Sequence, residues 1–189
     1  MKIDYYTPFY TNQYYHIYNR GNNGEKIFYL PDNYIFFLKK FSEYLSGEVE
    51  TYSYCLIPNH FHFIVKVINK DIISEKFKNF FLGYSKAINK QEGRTGSLFQ
   101  KRFKRTIIED RFSLVRAILY LHTNPVHHNI CNDFVNYPYS SYKSILSKKE
   151  TKLCRVEVLE LFDSRNNYTQ LHQKRSDEFS SEKFYIEHD

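Results

Sequence analysis

The chain has no tryptophan, and its three cysteines, Cys55, Cys131 and Cys154, stand isolated with no Cys-x-x-Cys pair among them. Odd in number and scattered, they argue against a disulfide scaffold or a thiolate zinc site and for a reducing compartment. No apolar run approaches the length that spans a bilayer, and the stretch MKIDYYTPFYTN at the amino terminus has no apolar signal core. Together these absences predict a soluble, cytoplasmic protein with no membrane partner. Internal repeats are also lacking, and no break in composition marks a second domain.

What the chain does have is aromatic mass and a modest excess of cations. Its 189 residues include 18 tyrosines and 17 phenylalanines, and 42% are hydrophobic, enough for a packed core. Lysine and arginine outnumber aspartate and glutamate by 27 to 21, a formal charge of +6. That excess suits a polyanionic partner, although many soluble proteins share it.

Periodicity gives a consistent order of elements. Residues 14–19 (YYHIYN) alternate as a first strand, followed by the glycine- and asparagine-rich loop RGNNGEK. A helix is expected from about Asp32 to Ser46, with Asp32 as N-cap, Gly47 as its stop and an apolar stripe of Tyr34, Phe37, Leu38, Phe41 and Leu45. Residues 49–57 read as a second strand, Pro58-Asn59 as a tight connection and residues 60–68 as a third strand. Ser74 is the expected cap of a second helix striped by Phe77, Phe80, Phe81, Tyr84 and Ile88. After a loop with Gly93 and Gly96, residues 103–109 form a fourth strand. Asp110 caps a third helix, which Pro125 is expected to end at Asn124. The order β-α-β-β-α-β-α predicts an α+β fold, a ferredoxin-like antiparallel sheet with packed helices. The division is a domain over 1–146 and a more polar extension over 147–189. Within the extension, RVEVLELF reads as a short helix and RSDEFSSEKFYIEHD as a loosely held end.

Two places carry candidate chemistry. In LIPNHFHFIVKV, a strand sends His60 and His62 to one face and Phe61, Phe63, Val65 and Val67 to the other. A bare His-x-His is more often a pair of satisfied surface histidines, but two neutral imidazoles side by side can also share a metal. On the third helix, Val115, Ile118 and Leu119, flanked by Leu114 and Leu121, make the buried side. Arg116, Tyr120 and Asn124, spaced by four, make a polar stripe. With so many tyrosines, any one of them is usually a core residue with its hydroxyl at an edge. Tyr120 differs in its neighbours: Arg116 could hold a phosphate or stabilise a phenolate, and Asn124 offers a carbonyl oxygen. If this helix packs beside the third strand, His60, His62 and Asn124 form a donor set suited to Mg²⁺ or Mn²⁺, with zinc left open. A tyrosine oxygen attacking a phosphodiester there would leave a covalent protein–nucleic acid link and a free hydroxyl.

These residues resemble a known family. IPNHFHFIV is similar to the HUH motif of single-tyrosine transposases, and YLHTNPV to the nucleophile segment of their REP-associated branch. YHIYNRGNNGEKIF, GRTGSLFQKRFKR and YPYSSYKS also resemble that branch, in the family's order, so the likeness covers roughly residues 10–145. It implies an HUH-type transposase domain over 1–146, Tyr120 as nucleophile and His60 and His62 as metal ligands. Asn124 stands where related transposases place a glutamine. The resemblance further implies cleavage and joining of single-stranded DNA, often beside short imperfect hairpins, through a 5′-phosphotyrosine and a released 3′-hydroxyl. One departure is NPVHHN, where His127 and His128 replace a basic residue and a small one.

Candidate DNA contacts follow from the residues themselves. RTGSLFQKRFKR holds Arg94, Lys101, Arg102, Lys104 and Arg105 and no acid, with Phe99 and Phe103 interleaved. Cations track phosphates, and aromatic faces can stack on unpaired bases. Arg20, Asn22 and Asn23 in the first loop, and Arg116 on the third helix, are further candidates. His16 faces away from Tyr15 and Ile17 and is assigned no role. Alternatives to a strand transferase are a nucleic-acid-binding module, since RRM domains share the sheet, and a domesticated transposase that binds without mobilising DNA. A homodimer is carried beside a monomer, with Tyr120 acting in its own subunit or across to another.

Overall fold

The computed structural model describes residues 7–181, with side chains up to Glu178. Four strands, β1 (Tyr14–Arg20), β2 (Val49–Ile57), β3 (His60–Val67) and β4 (Lys104–Ile108), form one sheet in the order β2-β3-β1-β4. Every neighbouring pair is antiparallel. Among the described residues six α-helices accompany it: α1 (Pro31–Leu45), α2 (Ile73–Gln91), α3 (Arg111–His127), α4 (Tyr142–Leu146), α5 (Arg155–Leu161) and α6 (Arg165–Ser181). The expected β-α-β-β-α-β-α order and the ferredoxin-like α+β sheet are both present.

The period-two pattern of β1 and β3 splits the sheet into two apolar faces. Tyr15, Ile17, Phe61, Phe63, Val65 and Val67 pack with α1 and α2 through Phe37, Phe41, Phe77, Phe80 and Tyr84. Phe41 and Phe63 stack with ring centres 4.1 Å apart. Each such buried ring stabilises the fold by roughly 1.5–3 kcal/mol relative to exposure. On the opposite face, Cys55, Ile57, Ile64 and Ile108 pack with Leu114, Ile118 and Leu121 of α3 and with Val158, Phe162 and Tyr168 further along. RVEVLELF supplies α5 as expected. Arg175–Ser181 of the expected loose end continue α6, and the rest of that stretch lies outside the described residues.

Several element boundaries differ from expectation, each for a local reason. α1 begins at Pro31 rather than after Asp32: proline at the first helical position needs no donor, and Asn33 Oδ1 accepts from the Tyr29 and Leu30 amides at 3.0 and 2.9 Å. Ser74 does not cap α2, which starts at Ile73 after Ile72. Gly47, with φ +85°, terminates α1 as expected. Asp110 caps α3 by accepting from the Ser113 amide at 2.8 Å. Pro125 does not stop α3. Proline has no N–H for the Leu121 carbonyl, yet Leu121–Pro125 are all buried, and the His128 amide still donates to the Asn124 carbonyl at 2.9 Å. Packing here outweighs the local preference, and it carries Asn124 into the protein on a helix.

Candidate active site

Strand pairing lays out the site in rows. His62 on β3 stands opposite Tyr18 on β1 and Cys55 on β2, and Lys104 on β4 stands opposite Tyr18. One row along, His60 stands opposite Arg20 and Ile57. All of these point to the face covered by α3, because directly paired residues share a face. β3 is an inner strand, so both histidines are shielded: His60 is 7% exposed and His62 2%.

Their hydrogen bonds are one-sided. His60 Nδ1 meets Asn59 Oδ1 at 2.8 Å, and Asn59 Nδ2 donates to the Gly24 carbonyl at 3.3 Å, which fixes the amide's orientation. The acceptor oxygen makes Nδ1 of His60 the protonated nitrogen and leaves Nε2 with a lone pair. His62 Nδ1 lies 2.9 Å from His16 Nε2. The Nε2 atoms of both His60 and His62 are buried without a hydrogen-bond partner, and so are Oδ1 and Nδ2 of the fully buried Asn124. Unpartnered buried polar atoms cost about 1–3 kcal/mol each, so four of them from two elements in one place call for a reason.

Burial holds the imidazoles neutral. Desolvation, with smaller contributions from His128 and Arg20, pushes His60 down to about 3, while an interaction with the Asn124 side chain opposes the shift. Burial and then the neighbouring His60, His16 and His128 hold His62 well below the usual histidine range. His16 is pushed down to about 4 by burial, and His128 to about 4 by burial, His127 and Arg20. At neutral pH these rings present lone pairs rather than charge, the form that ligates a cation. A small cavity of about 60 Å³ opens onto them, lined by Tyr18, Asn19, Arg20, His60, His62, Gln100, Lys104 and His128.

α3 brings Tyr120 to the same place. Its ring centre is 5.8 Å from that of His62 and 6.4 Å from that of His16, both edge-on. The donor chemistry of His60, His62 and Asn124 fits a divalent cation: two imidazole nitrogens and one amide oxygen, each buried and without a hydrogen-bond partner. Among the described residues, no three His, Cys, Asp or Glu side chains form a metal-holding group, so the amide is needed to complete three donors.

The other expected residues are spread more widely. Arg20 and Lys104 line the cavity, with Lys104 Nζ 5.6 Å from the centre of the Tyr18 ring. Arg116 is exposed, its guanidinium over the Phe112 ring at 5.6 Å. Lys101 and Arg102 are exposed. Arg94 pairs with Glu25 at 2.5 Å and donates to the Tyr29 hydroxyl. Arg105 lies over Phe9 at 4.5 Å and donates to the Thr7 carbonyl. Phe99 is 5% exposed and Phe103 packs on Phe77 and Phe81, so both rings serve the core rather than a stacking surface. Asn22 and Asn23 sit in a short 3-10 turn after Gly21. Glycine at position 21 permits a close approach within this loop: a side chain there would meet the Glu25 carbonyl oxygen at 1.9 Å.

Sequence reasoning missed Tyr18, Asn19, Gln100 and His128 as cavity residues and left His16 unassigned. The alternation His16, Tyr18, Arg20 was a usable signal. It becomes decisive only once β1 is known to pair with β3.

No family model matches the chain. In sequence it is 26% identical over 103 residues to a Haemophilus influenzae protein named "Putative REP-associated tyrosine transposase", a match covering 49% of this chain and 58% of that protein. In fold it is similar to a REP-associated tyrosine transposase solved bound to a REP hairpin. The TM-score is 0.64 at 16% identity, covering 78% of this chain and 87% of the other. The motif likeness, the curated relative and the shared fold agree: the chain is similar to the REP-associated tyrosine transposases.

Proposed function

We propose that the protein cleaves and rejoins single-stranded DNA, with Tyr120 as nucleophile beside a divalent cation, Mg²⁺ or Mn²⁺, held by His60, His62 and Asn124. The observation that carries this reading is the set of unpartnered buried donor atoms on those three residues, with the Tyr120 ring 5.8 Å from His62. The cation, when bound, supplies Lewis-acid polarisation of a phosphodiester. Tyr120 Oη forms a bond to phosphorus as the bond from phosphorus to the 3′-oxygen breaks. The phenol gives up its proton, and the leaving oxygen gains one as a 3′-hydroxyl. The 5′-phosphate stays on the tyrosine, so attack by a hydroxyl reverses the step and joins strands.

Arg20 and Lys104, at the cavity wall, suit the backbone phosphates that flank the scissile one. Lys101 and Arg102 extend that track outside, and Arg94, Arg105, Asn22, Asn23 and Arg116 are more distant candidates. The structural relative was solved on a REP hairpin, which supports hairpin-bearing single-stranded DNA as the substrate class here. On this reading residues 1–146 are the strand-transfer domain and 147–189 an extension, of which α6 packs on α3. The cytoplasm is the compartment where such a substrate is met. Among the described residues no helix is long and apolar enough to cross a membrane.

Incubating the protein with a single-stranded hairpin oligonucleotide and Mn²⁺, then denaturing it, tests the chemistry. A denaturation-resistant adduct mapping to Tyr120 and missing in Tyr120→Phe is expected. Binding without an adduct would favour a DNA-binding module or a domesticated transposase, and linkage to any other tyrosine would overturn the site.

A further inference from the structure

Asn59 serves His60, whereas the Nδ1 atom of His62, the inner histidine of the pair, meets His16. We propose that His16 is a positioning residue that sets the tautomer of His62, leaving His62 Nε2 unprotonated and aimed into the site. The inference rests on the reading of His60 and His62 as cation donors, and it concerns which ring nitrogen carries the hydrogen.

The gap between the two rings is 2.9 Å, from His16 Nε2 to His62 Nδ1. A neutral imidazole has one N–H and one lone pair, so a single hydrogen occupies that gap. If His62 Nδ1 donates it, Nε2 of His62 keeps its lone pair. If His16 Nε2 donates it, Nε2 of His62 must carry the hydrogen and cannot ligate. The neighbouring ligand settles which arrangement suits the site. His60 Nδ1 donates to Asn59 Oδ1, an amide locked by its own bond to the Gly24 carbonyl, so His60 Nε2 is a lone-pair donor. The two buried Nε2 atoms serve one site only if His62 adopts the same tautomer as His60. His16 is then the acceptor for His62, as Asn59 is for His60.

Position supports the assignment. His16 stands opposite Ile64 on β3, which places it diagonally beside His62 on the shared face. Its ring is stacked 4.7 Å from Tyr18 and lies edge-on to Tyr120 at 6.4 Å, so neighbours on two sides fix it. Ligating histidines commonly give their second N–H to an outer partner, and loss of that partner weakens metal binding roughly 10–100-fold. Here the outer partner is itself an imidazole.

Long-range nitrogen-15 NMR on the metal-free wild-type protein reads the tautomer directly. A protonated Nδ1 and bare Nε2 on His62 are expected, and a protonated Nε2 overturns the proposal without any variant. Two variants read the consequence. His16→Phe keeps a flat ring against Tyr18 but has no acceptor, and should weaken Mn²⁺ binding about 10–100-fold in calorimetry. His16→Gln restores a carbonyl acceptor and should recover much of that loss. Wild-type Mn²⁺ affinity in His16→Phe, with affinity lost in His62→Ala, overturns the positioning role alone. Wild-type affinity in His62→Ala overturns the donor reading itself, and the metal-free tautomer still decides whether His16 orients His62.

Discussion

The protein buries two clusters of histidine, one on each side of α3, and they are built on opposite principles. In the first, His172 Nδ1 donates to the Tyr168 carbonyl at 2.7 Å, so its Nε2 accepts from His122 Nδ1 at 2.8 Å. His122 Nε2 then accepts from the Ser141 hydroxyl at 2.7 Å, and Ser141 Oγ itself accepts from the Tyr54 amide at 2.9 Å. Every ring nitrogen has a partner, and the chain ties α6 to α3 and to β2. In the second cluster, Nδ1 of His60 and of His62 is engaged, while Nε2 of each is left open beside an equally open Asn124. Both clusters are buried, and burial lowers all four of these histidines. Depth and perturbed titration therefore do not separate a structural histidine from a functional one here. What differs is that Nε2 of His60 and of His62 has no hydrogen-bond partner, while every ring nitrogen of His122 and His172 has one.

If that contrast is sound, substitutions at the two clusters fail in different assays. Replacing His60 and His62 together by Ala should cut adduct formation by about 10²–10³-fold or more, the scale of removing transition-state electrostatics. Some stability should go with the Nδ1 bonds to Asn59 and His16, so adduct yield is compared per folded molecule. Undiminished cleavage in the double variant would end the cation reading.

The next largest effect belongs to the satisfied cluster. His122→Ala strips partners from His172 and Ser141 and leaves a cavity between α3 and α6. We expect a loss of about 2–4 kcal/mol in denaturant unfolding, with adduct yield per folded molecule near wild type. A stable but inactive His122→Ala would reverse the roles assigned to the two clusters.

This division also marks where the sequence stopped being informative. Alternation in HFHFIVKV was enough to place His60 and His62 on one face, and the element order was enough for the sheet. Local pattern could not supply partners, which depend on register. His16 reads as an unremarkable strand residue until β1 is laid beside β3. α6 was hidden for a related reason: RNNYTQLHQKRSDEF has few apolar residues, and the large side chains it buries, Tyr168 and His172, are held through the polar chain to His122. Pro125 misled because burial of Leu121–Pro125 outweighs a missing amide. In GSLFQKRF, alternating cations and aromatics resemble a stacking surface, yet the rings turn inward to Phe77 and Phe81.

Acid sharpens the contrast further. Burial pushes His172 down to about 3, and burial with the adjoining His172 holds His122 well below its usual range. The unfolded chain takes up protons near ~6.5 that the folded chain refuses. Stability is therefore full above about pH 6.5 and falls as the pH drops from there toward 3. The slope is up to ~1.4 kcal/mol per pH unit for each buried neutral histidine. His16, His60, His62 and His128 add in the same direction. His172→Gln should flatten the slope by up to one histidine's share. Urea midpoints measured between pH 7 and 4 check this, and parallel wild-type and variant curves would show that His172 is not held neutral in the fold.

The smallest expected effect separates the cations by exposure. Arg94 is matched by Glu25 and Tyr29, and Arg105 by Phe9 and the Thr7 carbonyl, while the side chains of Lys101 and Arg102 are exposed. Each phosphate contact on a single strand contributes roughly 0.7 to the slope of log affinity against log salt. Lys101→Gln with Arg102→Gln should therefore lower that slope by about 1.4 and weaken binding to all single strands alike. Arg94→Gln should instead lower the urea midpoint through its lost ion pair while moving the salt slope less. Binding titrations of an unstructured oligonucleotide across a salt series read both variants. A slope that drops for Arg94→Gln but not for the exposed pair would mean that the DNA track runs past the first loop instead of along the turn before β4.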